Sequence, residues 1–511
     1  MAAWHDGVRA ENLSALALEH GGHHDRPFLD CDDGRRFTFA EFRDLAGRLA
    51  ARLQAAGVKP GDRVAVQVEK SPEAIALFWA CARAGLIFLP LNTAYTPAEV
   101  SYFLGDAEPA VLVSAPDKAV ALAPVAKSAG CKSLLTLDDA GGGTMLEDAK
   151  VAPRDHPSQW DDLAAILYTS GTTGRSKGAM LSHGNLASNA LALVQAWAFT
   201  PDDVLIHALP VYHTHGLFTA FNTLLLSGGR MLFRRKFDAA DVMSLMPQAT
   251  CLMGVPTFYT RLLQHPGLTR DAVAHMRLFI SGSAPLLAET HREFAARTGH
   301  AILERYGMTE TSMNTSNPYD GERRAGTVGK PLSQISVRIA DPATHKALPP
   351  ETDGMIEVKG PNLFRGYWRN PQKTAEDHTA DGWFITGDMG RVSHDGYVTI
   401  SGRAKDLIIT GGFNVYPKEV ELLLDAMPGV LESAVFGLPH ADFGEGVTAA
   451  VVAKPGATLD EAAMLQSLRQ ELAAFKCPKR ILLLPELPRN AMGKVQKAVL
   501  REARKALYST G

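Results

Sequence analysis

Tyr168-Thr-Ser-Gly-Thr-Thr-Gly-Arg-Ser-Lys177-Gly178 follows directly on the apolar run Leu163-Ala-Ala-Ile-Leu167. The run predicts a buried strand and the glycines predict a loop at its end. Gly171, Gly174 and Gly178 let backbone N–H groups turn toward one point. Thr169, Ser170, Thr172 and Thr173 add hydroxyl donors, and Lys177 adds a positive charge, a combination that suits a polyphosphate. No G-x4-G-K-[ST] spacing can be drawn through the stretch, so it is not a Walker A loop.

Outward toward the N-terminus, helices alternate with short strands. Thr38 and Glu41 form a capping box, followed on one helical face by Phe42, Leu45, Leu49 and Leu53, with Gly57 at the expected C-terminal glycine. Val64, Val66 and Val68 alternate as a half-buried strand, and Ser71-Pro72 opens the next helix. The stretch from Ala74 to Leu91 is apolar but broken by Arg83 and Gly85, and reads as buried helix and then strand. The alternation predicts an α/β multidomain chain, its large N-terminal domain built of mixed β-sheets flanked by helices.

Toward the C-terminus, Gly387–Thr399 is rich in glycine and turn residues. Leu407–Thr410 is a compact strand, Ala434–Leu438 and Thr448–Ala453 read as strands, and Asp460–Phe475 as a helix. A boundary within 402–406 divides the chain into an N-terminal domain (1–401) and a small α+β domain (407–511), with 402–406 between them. With 511 residues the chain exceeds the roughly 100–200 of one domain. Composition is that of a globular enzyme, 46% hydrophobic and 21% charged, which excludes whole-chain disorder. A net charge of −3 gives no footprint for nucleic acid and no field toward an anionic membrane. Cys31, Cys81, Cys131, Cys251 and Cys477 are scattered without a CxxC pair, which fits reduced thiols in a cytoplasm. The start, MAAWHDGVRAENL, lacks an apolar secretory core.

Seven further motifs follow the loop in order. They are Leu209-Pro-Val-Tyr-His-Thr-His-Gly216, Ser281-Gly-Ser-Ala-Pro285, Glu304-Arg-Tyr-Gly-Met-Thr-Glu310, Thr386-Gly-Asp388, Gly402-Arg-Ala-Lys-Asp406, Gly411-Gly-Phe-Asn-Val-Tyr-Pro417 and Pro488-Arg-Asn-Ala-Met-Gly-Lys494. Together with the loop they resemble the motif series of the acyl-adenylate-forming superfamily, which includes acyl-CoA synthetases. Ser176, where that family commonly has proline, and Lys497, where arginine is frequent, are the small departures.

The resemblance implies a two-step reaction. A carboxylate attacks the α-phosphate of ATP to give acyl-AMP and pyrophosphate, and the thiol of coenzyme A then displaces AMP. It assigns ATP binding to Thr169, Ser170, Gly171, Thr172, Thr173, Gly174 and Lys177 of the loop. The walls of the nucleotide site are assigned to Ser283, Ala284, Pro285, Glu304, Arg305, Tyr306, Gly307, Met308 and Thr309, with Tyr306 stacking on the base. Asp388 is implied at the ribose hydroxyls, Arg403 near ribose or phosphate, and Glu310 at Mg²⁺, whose hardness asks for an oxygen ligand. Lys494 is implied as the residue that bridges carboxylate and phosphate, with Thr169 and His213 completing the catalytic set. The resemblance also implies that 402–406 is a hinge, marked by Lys405, and that the small domain is mobile, with Gly411, Gly412 and His213 facing coenzyme A.

For the acid, the closest resemblance is to malonyl-CoA synthetases, on Tyr212-His-Thr-His-Gly216, Met253-Gly-Val-Pro-Thr-Phe-Tyr-Thr260 and Met308-Thr-Glu-Thr-Ser-Met-Asn-Thr-Ser-Asn-Pro318. A small dicarboxylate needs a short pocket and a second cationic anchor. Arg277 and Arg324 are the anchors expected, with Arg323 an equal of Arg324, since a guanidinium forks onto a carboxylate. His213, Thr214, Ser283 and Met313 would shape the rest of the pocket. Malonate, with methylmalonate tolerated, is the expected acid. Other short or medium acids, loading of a carrier-protein thiol, and noncatalytic binding of an acyl nucleotide stay as alternatives. The segment ending in Lys494 also resembles sites acetylated by lysine acetyltransferases in related bacterial synthetases, so acetylation there is expected to silence the charge.

Overall fold

A computed structural model describes residues 12–20, 25–149, 152–169, 176–410, 413–440, 443–472, 474–490 and 493–508. The local signals become the elements they predict. Thr38 caps the helix Phe39–Ala55 in a reciprocal box with Glu41, and Ser71 caps Pro72–Ala84, which ends at left-handed Gly85. The strand Arg63–Gln67 differs from the half-buried expectation. Ala65 and Gln67 are buried as well as Val64 and Val66, because parallel neighbours flank it on both sides and helices cover both faces. No described helix is long and apolar enough to cross a membrane.

Two large sheets make the N-terminal part. One has six strands in the order Ser133–Thr136, Val111–Ser114, Arg63–Gln67, Ile87–Pro90, Leu163–Thr169, Lys177–Ser182, parallel except for the last pair. The other has nine, with a parallel centre of Leu303–Met308, Leu278–Ser281, Cys251–Gly254, Val204–His207 and Arg230–Phe233. Phe28, Phe42, Phe78, Trp79 and Phe221 interlock in the core between these sheets, each 3% exposed or less. Truncating one such ring costs about 3–5 kcal/mol. A four-stranded antiparallel sheet, Ser336–Ala340, Gly354–Lys359, Phe384–Val392 and Val398–Arg403, leads out of this part.

Beyond it a separate core begins at Ile408 and includes Val420, Leu424, Val435, Val447, Val451, Leu468 and Ile481. It lies under a five-stranded sheet whose long hairpin pairs Val430–His440 with Gly444–Ala453. The chain is thus a large part of mixed sheets flanked by helices, joined to a small α+β part. A single 3₁₀ turn, Ala404–Asp406, lies between them.

Candidate active site

The carboxyl ends of the parallel strands converge on one cleft, where open α/β sheets bind ligands. Asp388, on Phe384–Val392, faces the end of Leu303–Met308 and is 5% exposed. The Tyr306 hydroxyl donates to its Oδ2 at 2.6 Å, and Arg403 Nε lies 3.1 Å from its Oδ1. Its backbone N–H donates to Thr386 Oγ1, whose own hydroxyl donates to Ile356 O at 2.7 Å. The carboxylate is therefore aimed before any ligand arrives, and each oxygen keeps a second lone pair for a hydroxyl donor.

Glu310 lies in the turn between Leu303–Met308 and Ser312–Ser316 and is 6% exposed. The Tyr367 hydroxyl donates to its Oε1 at 3.1 Å, while Lys177 Nζ sits 5.1 Å from the Tyr367 ring centroid. Burial raises the Glu310 carboxyl, opposed by the Tyr367 hydrogen bond and by the charges of Lys177 and Arg403. Lys177, Glu310, Asp388 and Arg403 are thus drawn into one neighbourhood. Tyr367 joins them, and its role is invisible in the sequence because Phe-Arg-Gly-Tyr-Trp carries no chemistry of its own.

The other wall is built differently. His213 and His215 flank Thr214 at the entrance of a π-helix, His215–Phe221, a rare geometry that often marks function. Ser283 Oγ is 3.2 Å from His215 Nδ1 and sits in left-handed backbone at φ +70. Such strain in a serine costs of order 1–3 kcal/mol and is held by its surroundings. Burial presses His213 down to about 3 and His215 well below its usual range, so both are neutral imidazoles. His213 Nε2, Thr214 Oγ1, His215 Nε2 and Ser281 Oγ have no hydrogen-bond partner among the described residues. Met313, 2% exposed, is clamped by Asn189, which donates to Met313 O at 2.8 Å and accepts from its N–H at 3.2 Å.

Arg305 belongs to this wall. Strand alternation turns Tyr306 toward Asp388 and Arg305 to the opposite face. There a Cβ on Gly282 would be driven into the Arg305 guanidinium. The arginine is 3% exposed, no carboxylate pairs with it, and its Nε and Nη2 are unpartnered among the described residues. Burial lowers it to about 9, with partial compensation from Tyr259 and Glu304. Arg305 thus lies beside His215, on the strand face opposite Tyr306. Glu304 shares the strand face of Tyr306, and its Oε1 accepts the Leu286 N–H at 3.1 Å and so tethers the Ser283-Ala284-Pro285 loop. Gly307 makes room for the return strand through Ser312, and Met308 and Thr309 line the half-open edge.

The expected acid anchors are elsewhere. Arg277 precedes Leu278–Ser281, about 13 Å along the strand from Ser281. Its guanidinium forks onto Asp203 at 2.6 and 2.8 Å and donates to Trp197 O at 3.0 Å. Arg324 is held by Asp395 and Glu322 on the surface and lies 3.9 Å from the Tyr397 centroid. Arg323 donates to the carbonyls of Ala301, Pro318 and Tyr319. All three are committed to structure, and none joins Ser283 and His213.

Lys494 reaches the cleft from the C-terminal part. Its turn is tied by Asn490, whose Oδ1 accepts the Lys494 N–H and whose N–H donates to Lys494 O, both at 3.0 Å. The side chain keeps solvent-accessible surface, yet protein surrounds it on most sides, as for a group lining a cleft. That enclosure lowers the ammonium, Arg403 and Arg305 lower it further, and Asp388 and Glu310 oppose them. Its charge also reaches His213. Lys454 and Glu289, 3.4 Å apart, span the two parts nearby. Lys405 is exposed in the 3₁₀ turn, beside Asp406, which Arg501 holds at 2.9 Å. Thr169 pairs with Lys177 across the strand ends. Ser170, Gly171, Thr172, Thr173 and Gly174, and Gly411 and Gly412, lie outside the described residues.

Comparison with known proteins places the chain in a family. Residues 18–368 match the family described as AMP-binding enzyme, and 419–494 match the AMP-binding enzyme C-terminal domain. A feruloyl-CoA synthase of Amycolatopsis sp is 37% identical, covering 97% of each chain. The mitochondrial malonate–CoA ligase of Mus musculus is 36% identical over 93% of this chain and 87% of its own. The crystal structure of ATP-bound MatB from Rhodopseudomonas palustris superposes with a TM-score of 0.94 at 57% identity, covering 97% of this chain and 100% of that one. The apo structure of the same protein gives 0.85.

Proposed function

This chain belongs to the AMP-binding enzyme family and is an ATP-dependent, AMP-forming acyl-CoA ligase, and on that premise we propose that the acid it activates is malonate. The observation that carries the reading is Arg305, a buried guanidinium without a carboxylate partner among the described residues, beside His215, Ser281 and Ser283. An isolated buried cation is costly, and a second anionic group on the substrate offsets that cost. A short C3 diacid satisfies both ends at once, one carboxylate on Arg305 and the other toward Lys494. Met313 and Thr214, both buried, leave little room for a long chain. Likeness to the mouse malonate–CoA ligase supports the same acid. Likeness to a feruloyl-CoA synthase makes the test necessary.

In the first step a carboxylate oxygen bonds to the α-phosphorus and pyrophosphate leaves. Lys494, Lys177 and Arg403 lower the repulsion between two anions as they meet. Asp388 orients the ribose through oxygens already fixed by Tyr306 and Arg403. In the second step the thiol sulfur bonds to the acyl carbonyl and AMP leaves, with His213 at the junction of acid and thiol paths. The segment 402–406 is the pivot by which Lys494 withdraws and Gly411–Gly412 approach. Glu310 would hold Mg²⁺ through a carboxylate oxygen, the ligand type a hard cation prefers. No group of three acidic, histidine or cysteine side chains among the described residues offers a fuller protein cage. Bound Mg²⁺ supplies charge neutralisation to the triphosphate.

The test is AMP release with ATP, Mg²⁺ and coenzyme A across malonate, methylmalonate, propionate, acetate and ferulate. Wild type is expected to peak at malonate. Arg305→Met is expected to lose on the order of 100-fold or more in kcat/KM on malonate while keeping its rate on propionate. Equal losses on both acids, or a wild-type peak at a monocarboxylate, overturn the reading.

A further inference from the structure

A second buried cation has no part in the chemistry above. Lys70 follows Arg63–Gln67 of the six-stranded sheet and is 7% exposed. Its Nζ is 2.8 Å from His207 Nδ1 and donates to His207 O at 2.9 Å, packed 4.4 Å from the Phe233 centroid. No carboxylate bonds it among the described residues, and the nearest acidic influence is Asp32, itself engaged with the Arg235 N–H. His207 ends Val204–His207 of the nine-stranded sheet, and its Nε2 lies 2.8 Å from Gly216 O. Because Lys70 must donate, Nδ1 accepts, and Nε2 therefore carries the proton that Gly216 O receives.

We propose that Lys70 and His207 form a positioning relay that fixes the His213–Gly216 segment, and with it His213 and His215, against the acid site. The relay ties the ends of the two large sheets to one carbonyl at the entrance of the π-helix. That entrance admits no other side chain at Gly216, where a Cβ would collide with Pro210 O. Leu217 N–H donates back to His213 O at 2.9 Å, so a shift at Gly216 is transmitted to the histidine that faces Lys494. An apolar side chain in place of Lys70 would remove a buried charge, and it would also leave His207 Nδ1 and O without their donor, so the two effects on stability oppose each other.

The inference rests on the reading that 213–216 lines the acid site, and it holds whichever acid is used. Its test takes the acid that wild type turns over best, so failure of the malonate reading leaves it standing. Pyrophosphate exchange is measured for Lys70→Met, His207→Leu and His207→Gln, with thermal midpoints. Lys70→Met and His207→Leu are expected to raise the KM for the acid at least 10-fold with the KM for ATP unchanged. The thermal midpoint of Lys70→Met is expected to stay within about 3 °C of wild type, as removal of a buried charge offsets the lost hydrogen bonds. His207→Gln, whose amide both accepts and donates, is expected to recover most of the acid KM lost in His207→Leu. An unchanged acid KM in Lys70→Met, a parallel rise in the KM for ATP, or identical defects in His207→Leu and His207→Gln overturns the relay.

Discussion

The two walls of the cleft solve opposite problems with the same kinds of side chain. On the nucleotide side, Asp388, Tyr306, Arg403, Glu310 and Tyr367 hold one another in place. On the acid side, His213, Thr214, His215, Ser281 and Arg305 are buried with polar atoms that no described residue satisfies. Every acid presented to such an enzyme meets the same nucleotide, so that seat is rigid in advance. Acid recognition resides where donors are left over, because an unmet buried donor rejects the wrong partner more strongly than a met one rewards the right partner.

The largest expected effect tests what stands between the walls. Lys494→Ala is expected to slow acyl-AMP formation about 100- to 1000-fold, measured by pyrophosphate exchange, with the thermal midpoint unchanged. A loss under 10-fold would mean that the walls alone bring the anions together. Next, Asp388→Asn is expected to raise the KM for ATP roughly 10-fold or more for every acid alike, since one charged acceptor is weakened. If the rise depended on the acid, the two walls would not be independent. A smaller effect separates the arginines: Arg277→Ala is expected to cost about 2 kcal/mol in denaturant unfolding, discounted for partial exposure, with kcat per folded molecule intact.

The last expected effect is a slope, which leaves catalysis untouched. Burial pushes Glu304 up to about 8 from 4.5. Between those values the folded carboxyl keeps a proton that the unfolded chain releases, so its contribution to stability falls as pH rises through that window. The slope reaches at most about 1.4 kcal/mol per pH unit. Glu304→Gln keeps an acceptor for the Leu286 N–H and is expected to flatten stability between about pH 5 and 8, measured by chemical denaturation.

The cluster of Tyr306, Glu310, Asp388 and Lys494 was legible because its signals are local: Y-G-M-T-E, T-G-D and a terminal G-K each occupy a few consecutive residues. The helix caps at Thr38 and Ser71 were legible for the same reason. The acid wall was not, because its assignment depends on which end of a strand a residue occupies and which face it takes. Arg277 and Ser281 differ by four positions and stand at opposite ends of one strand. Arg305 and Tyr306 are neighbours on opposite faces, a distinction that the alternation of Leu303–Met308 contains and that motif matching passes over. Tyr367 gave no signal, since a tyrosine becomes a link between Lys177 and Glu310 only through packing.

The division of the chain at Ala404–Asp406 has a consequence for how the reaction is kept from running backward. On the proposed reading, the described groups that would select acid or nucleotide, Asp388, Arg403, Glu310 and Arg305, lie in the first four hundred or so residues, and the small part brings the Lys494 ammonium to them. Lifting Lys494 away would then subtract one positive charge and leave those contacts unaltered. Reversal by pyrophosphate would require that charge, and retention of acyl-AMP would not, so one hinge would serve as a ratchet with a single ammonium as its pawl.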